Sequence, residues 1–543
     1  MPPTCSIGAD FGTESGRLLL LDLGSGEELA TAVVPYPNGV IDRILPGTDT
    51  RLGADWALQD PADWVHVIET GIPALLRAAP VAPERIVGLG IDVTSCTVLP
   101  TDTSGTPLCQ HARWRSRPHA WPKLWKHHAA QGVADRLTAV AAARGEEFLA
   151  RYGGRISSEW YFPKLIELWL EDREIYEATS AFLEATDWIV WWLTGTLTRQ
   201  RTTAGYKAMW SRSDGLPDPG YFDAAYPGFP APEEKLGEQF VALGTPAGRL
   251  RPELTTALGL PPELVVAVGN VDSFVSVPGS GVTEPGTFVV AIGTSICSMV
   301  LAETEVRLPG ITGVAADGIL PGLYGYEAGQ AAVGDMLAWL TRTLLEAPGS
   351  FGSLEAAAAA IPAGACGLVV LDWFNGNRSI LADADLSGTI IGLTLQSSRA
   401  ELYRGMLEAI GFGNRRIIEN FTDHSIAIDR IVANGGIARA SPLMMQLLAD
   451  TSGLTVTVPD SAGVPARGAA LFGAVAAGAF TGIEAAVAAT RPAAGAHYVP
   501  DPEAAAVYDR VYDIYRRLTD LLGVEHAELM HRLKAIAGER RHQ

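Results

Sequence analysis

The stretch "IGADFGTESGRLLLLDLGSG" at residues 7–26 decides the fold, because its plan recurs later in the chain. Small and apolar residues lead into a Gly-Thr turn, and a continuous apolar run follows the turn. Such a run predicts a strand that is buried on both faces. The same plan reappears in "AIGTSICSMVL" at residues 291–301, about half the chain later. The repeat predicts two domains of related plan, each opening with a strand–turn–strand hairpin.

The composition describes an acidic chain with a large buried core. Of 543 residues, 48% are hydrophobic, and 41 basic against 61 acidic side chains give a net charge of −20. Duplex nucleic acid is a poor partner for this chain, because phosphate neutralisation needs clustered lysine and arginine. The five cysteines form no C-x-x-C pair, and we expect reduced thiols in a cytoplasmic protein without a signal peptide. The Ala- and Gly-rich stretch at 469–489 favours two packed helices over a membrane span.

Strand and helix patterns alternate along the chain, which predicts an α/β fold. The predicted strands after the first hairpin lie at 84–102, 263–274, 286–303, 367–373 and 430–436. The predicted helices lie at 119–151, 163–177, 183–194 and 401–421, with another from about 441. Tyr508, Tyr512 and Tyr515 recur at helical spacing and predict a core-facing aromatic stripe near the C-terminus.

The letters Asp10-Phe11-Gly12 match the magnesium loop of protein kinases, but their context does not. A protein kinase needs a glycine-rich loop, a strand lysine and an H-R-D loop upstream, and only nine residues precede Asp10. No P-loop of the form G-x-x-x-x-G-K-[ST] occurs. A third hypothesis is that the two hairpins face each other across a cleft and bind phosphate through amides and hydroxyls. Two ordinary β-turns are the alternative.

Several residues beside these turns carry candidate chemistry. Asp10 adjoins the first turn and is placed to hold Mg²⁺ through waters. Asp272, in "VGNVDSF", follows a predicted strand, where a carboxylate can take a proton from a substrate hydroxyl; such aspartates also form turns or cap helices. Gly435 and Gly436 lead into a helical segment and would lie flat against a nucleotide. The candidate phosphate ligands are Thr13, Ser15, Thr294 and Ser295.

Longer motifs follow one another in a set order: "DFGTESGR", "GNVDSF", "GTS", "NGNRSILADADLSG" and "NGGIARASPLMMQLLAD". In this order they resemble the FGGY family of sugar kinases, over residues 7 to about 480. Further phrases are nearest to family members that act on L-ribulose: "KLWKHHAAQ", "RYGGRISSEWYFPK", "TTAGYKAMW" and "LDWFNGNRS". The resemblance implies a two-domain α/β fold of the actin–hexokinase–Hsp70 (ribonuclease H-like) type with a central cleft. Residues 1–280 would mainly bind sugar, and residues 281–543 would mainly bind nucleotide.

The resemblance also implies a role for each matching residue. Asp272 would be the general base, and Asp10 would hold Mg²⁺. The implied sugar contacts are Ser95, Trp125, Lys207, Asp272 and Glu327. The implied ATP and phosphate contacts are Asp10, Gly12, Thr13, Ser15, Arg17, Gly293, Thr294, Ser295, Gly435 and Gly436. Trp125, four residues after Trp121, is equally compatible with a core position on a helix, and Lys207 with the surface.

The implied reaction is ATP- and Mg²⁺-dependent phosphorylation of the terminal C5 hydroxyl of a 2-ketopentose, with L-ribulose first. Such a reaction serves L-arabinose catabolism. Alternatives are a kinase for D-ribulose, xylulose or glycerol, or a non-catalytic sugar or nucleotide sensor. The expected partner is the small-molecule ketopentose, with neither nucleic acid nor membrane, and the chain is expected to form a homodimer. Three residues, Ala440, Ser441 and Arg467, depart from the family pattern near the expected nucleotide site.

Overall fold

The computed structural model describes residues 4–79, 81–461 and 463–541, which contain two seven-stranded mixed sheets. The first-half strands are β1 (Cys5–Phe11), β2 (Ser15–Asp22), β3 (Glu28–Pro35), β4 (Ile86–Val93), β5 (Val98–Thr101), β6 (Ala181–Glu184), β7 (Pro246–Arg249), β8 (Val265–Ala267) and β9 (Asn270–Val271). The second-half strands are β10 (Gly286–Ile292), β11 (Ile296–Ala302), β12 (Gly313–Ala316), β13 (Tyr324–Gln330), β14 (Val369–Leu371), β15 (Thr389–Ile391), β16 (Ile428–Asn434), β17 (Thr455–Asp460) and β18 (Ala493–Tyr498).

The two large sheets share one plan. The first has the order β3-β2-β1-β4-β8-β7, with β9 also pairing with β4; the second has the order β12-β13-β11-β10-β16-β17-β18. In each sheet an antiparallel hairpin, β1–β2 or β10–β11, is followed by a parallel neighbour, β4 or β16. The predicted repeat of the hairpin therefore reflects a repeated sheet topology.

Helices cover the sheets and connect their strands. The first-half helices are α1 (Pro61–Ala78), α2 (Gln131–Arg144), α3 (Tyr161–Glu171), α4 (Arg173–Ala178), α5 (Ala185–Thr194), α6 (Arg201–Lys207), α7 (Pro219–Ala225), α8 (Glu233–Leu236), α9 (Pro252–Leu258) and α10 (Asp272–Gly279). The second-half helices are α11 (Gly334–Trp339), α12 (Phe351–Ala359), α13 (Arg399–Asp423), α14 (Gly436–Ala440), α15 (Pro442–Ser452), α16 (Val464–Ala476), α17 (Ile483–Ala489), α18 (Pro502–Asp520) and α19 (Ala527–Arg541).

Helix α13 shows how local sequence and core packing act together. Ser398 caps its first turn in a reciprocal capping box with Glu401, which satisfies backbone N–H groups at the helix start. The predicted tyrosine stripe on α18 is buried and packs around Phe412 of α13. The stripe prediction is therefore confirmed.

Helix α16 belongs to the second half of the chain but packs on β1 and β4 of the first sheet. Glycines make this contact, because a Cβ on Gly8 would overlap the Ala466 carbonyl and a Cβ on Gly90 would overlap the Ala469 carbonyl. The stretch at 469–489 forms α16 and α17, two packed helices as predicted. The predicted boundary at residue 280 falls between α10 and β10 and stays a prediction.

We expect Gly90→Ala to destabilise the protein by about 1–3 kcal/mol or more, because the new methyl group must push the backbone of α16 away from the sheet. The measurement is the midpoint of denaturant unfolding. Gly132→Ala is the matched control: its Cβ would meet nothing within 4 Å, and Gly132 lies inside α2. A helix gains stability from such a change. Equal midpoints for the two variants would contradict the close packing of α16.

One helix prediction is wrong over much of its length. Residues 119–130 are irregular apart from the end of a short 3₁₀ turn, and only α2 and a second 3₁₀ turn at Glu147–Tyr152 fall within 119–151. Pro118 and Pro122 explain the difference, because proline removes backbone donors and clashes inside a helix.

Within the described part of the chain, none of the helices combines the length and the apolar character needed to span a bilayer.

Candidate active site

Three carboxylates meet at one edge of the first sheet. Asp10 lies near the end of β1, directly opposite Asp92 on the parallel strand β4. Strand β9 pairs with β4 at Asp92 and Val93, and Asp272 follows β9 as the first residue of α10. Because the carboxyl ends of parallel strands share an edge, side chains from distant sequence positions converge there. Asp10 and Asp92 are buried.

Asp10 and Asp92 behave as a coupled pair. Burial raises the pKa of Asp92 well above its usual range, and the charges of Asp10 and Asp272 raise it further. Burial also raises the pKa of Asp10, but less, because Arg17 donates to Asp10 Oδ2 at 3.1 Å. The protonated form is thus favoured more strongly at Asp92 than at Asp10. Sequence analysis did not identify Asp92 as a site residue. Asp92 lies near the end of the apolar strand β4, and only the pairing of β4 with β1 brings it to the site.

Asp272 has the chemistry of a base that works near neutral pH. Burial, followed by the charge of Asp10, raises its pKa to about 7, while the Ser273 N–H, at 2.6 Å from Oδ1, and Lys207 lower it. Glu327 adds to the increase. The Asp272 side chain does not cap α10. A carboxylate with this pKa can accept a proton from a hydroxyl group and release it again.

Lys207 and Glu327 form a buried ion pair between the two halves of the chain. Lys207 ends α6, Glu327 lies in β13, and Nζ is 2.5 Å from Oε2. Both side chains are less than one-tenth exposed, so Lys207 is not a surface lysine. Since both residues shift the pKa of Asp272, the ion pair lies beside the candidate base.

Ser95 and Trp125 lie on irregular segments near these groups. Ser95 follows β4, and its buried Oγ has no hydrogen-bond partner among the described residues. Cys96 next to it adopts the left-handed conformation with φ 58°, which turns the chain sharply at the strand end. Trp125 is not on a helix, and its Nε1 donates to Thr13 Oγ1 at 3.1 Å. Trp121, in contrast, is a core residue.

The two hairpin turns resemble each other in backbone geometry. Gly12 N–H donates to the Ser15 carbonyl and Gly293 N–H to the Ser295 carbonyl, each at 3.0 Å. Gln59 fixes the first turn by donating to the Thr13 carbonyl, while Thr294 is exposed. Across the described ranges no hydrogen bond joins the two turns, and their joint binding of phosphate stays a prediction.

The Gly435–Gly436 turn and the three departing residues belong to well-defined local structure. Gly435 has φ 98° and starts α14, and a Cβ there would overlap the Ile292 carbonyl. Ser441 caps α15 and donates to Glu355 Oε1 at 2.7 Å, whereas Ala440 ends α14 and is exposed. The Arg467 guanidinium bonds to Gly26, Glu28 and Thr490 around the β2–β3 turn. The Arg467 side chain is therefore directed at the β2–β3 turn and the residue that follows α17.

Within residues 4–79, 81–461 and 463–541, no three His, Cys, Asp or Glu side chains are grouped to hold a metal ion. His127, in the "KLWKHHAAQ" phrase, is buried and bonds to Glu167. Burial lowers its pKa to about 4, so it is neutral at pH 7. Its role is in the core.

Comparison with known proteins places this geometry in a family. The N-terminal domain of the FGGY family of carbohydrate kinases matches residues 5–279, and the C-terminal domain matches residues 288–477. The chain belongs to the FGGY family of carbohydrate kinases. This FGGY kinase therefore has the predicted two-domain α/β fold and the family's ATP-dependent sugar phosphotransferase activity.

Named relatives and a solved structure agree with the family. This FGGY kinase is 47% identical to the ribulokinase of Anoxybacillus flavithermus, over 97% of this chain and 96% of that protein. It is 41% identical to the ribulokinase of Mycolicibacterium smegmatis, over 98% and 96% of the two chains. The xylulose kinase from Rhodospirillum rubrum superimposes with a TM-score of 0.79 at 26% identity, covering 97% of this chain and all of that one.

Proposed function

We propose that this FGGY kinase is a ribulokinase, which transfers the γ-phosphoryl group of ATP to the C5 hydroxyl of L-ribulose and related 2-ketopentoses. The observation that carries the proposal is the position of Asp272, a half-buried carboxylate with a pKa of about 7, near Asp10 and the Lys207–Glu327 ion pair. The relatives named ribulokinase support the choice of a ketopentose.

In this proposal Asp272 accepts the proton of the C5 hydroxyl as its oxygen bonds to the γ-phosphorus and the bond to the β-phosphate oxygen breaks. Phosphoryl transfer depends mainly on positioning and charge stabilisation. One aligned base in a closed site is therefore enough for the proton transfer. Lys207 donates to sugar oxygens, and Glu327 accepts from sugar hydroxyls. Ser95 Oγ, unpaired and buried, supplies a further polar contact. Trp125 presents a flat apolar surface to the carbon chain.

The proposed nucleotide contacts lie on the two hairpin turns and on the Gly435–Gly436 turn. Gly12, Thr13, Ser15 and Arg17 would bind phosphate oxygens from the first hairpin, and Gly293, Thr294 and Ser295 from the second. Gly435 and Gly436 would lie against the adenosine. Asp10 would hold Mg²⁺ through waters, because Mg²⁺ keeps several of its waters in proteins and is usually bound by one or two carboxylates together with substrate phosphates. When bound, Mg²⁺ would neutralise phosphate charge.

The cellular setting is part of the proposal. Cys5, Cys96, Cys109 and Cys366 are buried free thiols, and Cys297 is a half-buried one. Free thiols and dependence on ATP fit the cytoplasm. A homodimer stays a prediction.

A substrate panel tests the function. L-Ribulose, D-ribulose, L-xylulose, D-xylulose and glycerol are each incubated with ATP and Mg²⁺, and ADP release is measured. We expect the highest kcat/KM with L-ribulose. A preference for glycerol or for D-xylulose would assign the chain to another branch of the family, and no ADP with any of them would favour a sensor.

We expect kcat to rise with pH through about 7 and to level off above it. Asp272 must be ionised to accept the proton, and burial together with the charge of Asp10 raises its pKa to about 7. The measurement is kcat at saturating sugar and ATP between about pH 5.5 and about pH 9. A flat profile over this interval would contradict the role of Asp272.

A further inference from the structure

Glu159 lies where three sequence motifs without an assigned role meet. Arg378, from "LDWFNGNRS", donates through Nη2 to Glu159 Oε1 at 3.3 Å. Glu159 belongs to "SSEWYFPK", and Nε2 of His128, from "KLWKHHAAQ", is 3.9 Å from the same oxygen. His128 Nδ1 is also 3.2 Å from Ser158 Oγ. The Arg378–Glu159 pair thus joins the two halves of the chain.

The Arg378 loop is attached to the strand that carries Glu327. Ser379 Oγ accepts the Gly329 N–H at 3.1 Å, and Gly329 lies two residues after Glu327 in β13. Cys297 of β11 faces Gly329 in the antiparallel register. Two residues of a strand span only about 7 Å, so this bond holds the Arg378 loop close to Glu327. The Arg378–Glu159 pair therefore lies next to the Lys207–Glu327 pair.

The electrostatics agree with this placement. Although burial opposes its charged form, the pKa of Arg378 is raised, since Glu159, Cys297 and Glu327 outweigh burial. Arg378, His128, Lys207 and Lys164 together lower the pKa of Glu159 against the effect of its burial. The charges of the two ion pairs thus act on each other, with Glu327 on Arg378 and Lys207 on Glu159.

Both members of the pair retain hydrogen-bonding capacity. A guanidinium has five N–H donors and a carboxylate has about four acceptor positions. Within the described residues, the Arg378 side chain makes the one hydrogen bond to Glu159, and the Glu159 carboxylate accepts the one from Arg378. The side chains are 20% and 17% exposed, respectively, so a ligand can reach them. A partly buried ion pair is weak evidence for a stabilising role, which leaves room for a role in binding.

We propose that Arg378 and Glu159 bind the sugar at the end remote from the reacting C5 hydroxyl: Arg378 donates to the C2 carbonyl, and Glu159 accepts from the C1 hydroxyl. The inference rests on the proposed ribulokinase function. Asp272 would contact the C5 end of the sugar. The Lys207–Glu327 pair adjoins Asp272, and the Arg378–Glu159 pair lies on the far side of Lys207–Glu327 from Asp272. A ketopentose is neutral and presents both donors and acceptors. A balanced ion pair meets both needs without adding net charge.

A purely structural clamp is the alternative, and the chain offers a matched control for it. Arg151 Nε is 3.0 Å from Glu305 Oε1, and this pair also joins the two halves. It lines a separate cavity of about 460 Å³ that contains none of the proposed sugar contacts. Glu305→Gln thus removes a carboxylate from a comparable interdomain pair outside the site.

The test compares Glu159→Gln, Arg378→Lys and Glu305→Gln by steady-state kinetics with L-ribulose and with 1-deoxy-L-ribulose, which lacks the C1 hydroxyl. We expect Glu159→Gln and Arg378→Lys to raise the KM for L-ribulose about tenfold or more, equivalent to about 1.4 kcal/mol. The KM for ATP should stay near the wild-type value. With the deoxy substrate the difference between Glu159→Gln and wild type should shrink to about threefold or less, because the C1 hydroxyl is absent, whereas Arg378→Lys should keep its increase, because the C2 carbonyl remains.

Several outcomes overturn the inference: an unchanged KM for L-ribulose, an equal increase in Glu305→Gln, or an equal loss on both sugars in Glu159→Gln. If one variant misfolds, as judged by its melting temperature, the other decides. These failures differ from failure of the proposed function, in which wild-type enzyme releases no ADP with any ketopentose.

Discussion

Asp272→Asn is expected to lower kcat by about 10²-fold or more while leaving the KM for L-ribulose within about threefold. The amide keeps the shape of the side chain and its contact with the Ser273 N–H, but it cannot accept the C5 hydroxyl proton. Sugar binding is carried mainly by Lys207, Glu327 and Trp125 in our proposal. Turnover is measured by ADP release, and sugar affinity by titration. A variant with near-normal kcat would remove Asp272 from the mechanism.

The same substitution should stabilise the folded protein at alkaline pH. Burial raises the pKa of Asp272 from 3.8 to about 7, so the folded state binds the proton more tightly than the unfolded state. The stability that this provides is present below about pH 4 and is lost as pH rises through about 7. Asn carries no charge and escapes this loss. The melting temperature at pH 8 should rise in Asp272→Asn and stay unchanged in the exposed control Asp423→Asn; a lower melting temperature would contradict the burial argument.

Lys207→Met is expected to abolish measurable sugar saturation and to destabilise the fold by about 3–5 kcal/mol, because Glu327 is left buried without its cation. Methionine preserves much of the length of the side chain, so the effect reports charge more than packing. Denaturant unfolding gives the stability and ADP release gives the activity. Wild-type stability in Lys207→Met would show that Glu327 does not depend on this ion pair.

The double variant Lys207→Met/Glu327→Gln separates structure from function. Removing both charges should restore most of the lost stability, since replacing a buried ion pair as a unit is often neutral. Sugar phosphorylation should stay low, because the donor and the charged acceptor for sugar hydroxyls are both gone. Recovery of stability together with activity would confine the pair to a structural role.

The repeated hairpin was predictable because its signal is local. Each Gly-Thr turn interrupts an apolar run, and the interruption is visible in the sequence at Gly12 and Gly293. The strand-end position of Asp272 was visible for the same reason. The α/β alternation then followed from apolar runs and helical periods, and the motifs identified the family.

The rest of the site depends on contacts between distant segments. Asp92 enters because β4 lies beside β1, and no local pattern states which strands are neighbours. Trp125 was predicted within a helical pattern, but Pro122 and the surrounding turns leave it on an irregular segment beside Thr13. Arg467 extends from α16 to the β2–β3 turn, because the small residues of that helix occupy the face on the sheet. The Arg378–Glu159 contact joins residues 219 positions apart in the sequence and was equally hidden.

The most direct test of the central claim is the product of a single reaction. Wild-type protein is incubated with L-ribulose, ATP and Mg²⁺, and the products are identified by ³¹P NMR alongside an Asp272→Asn control. The account predicts one ADP for each sugar phosphate, with the phosphate on C5, and about 10²-fold less of both in the control. Phosphate on another carbon, or no ADP with L-ribulose, would contradict it.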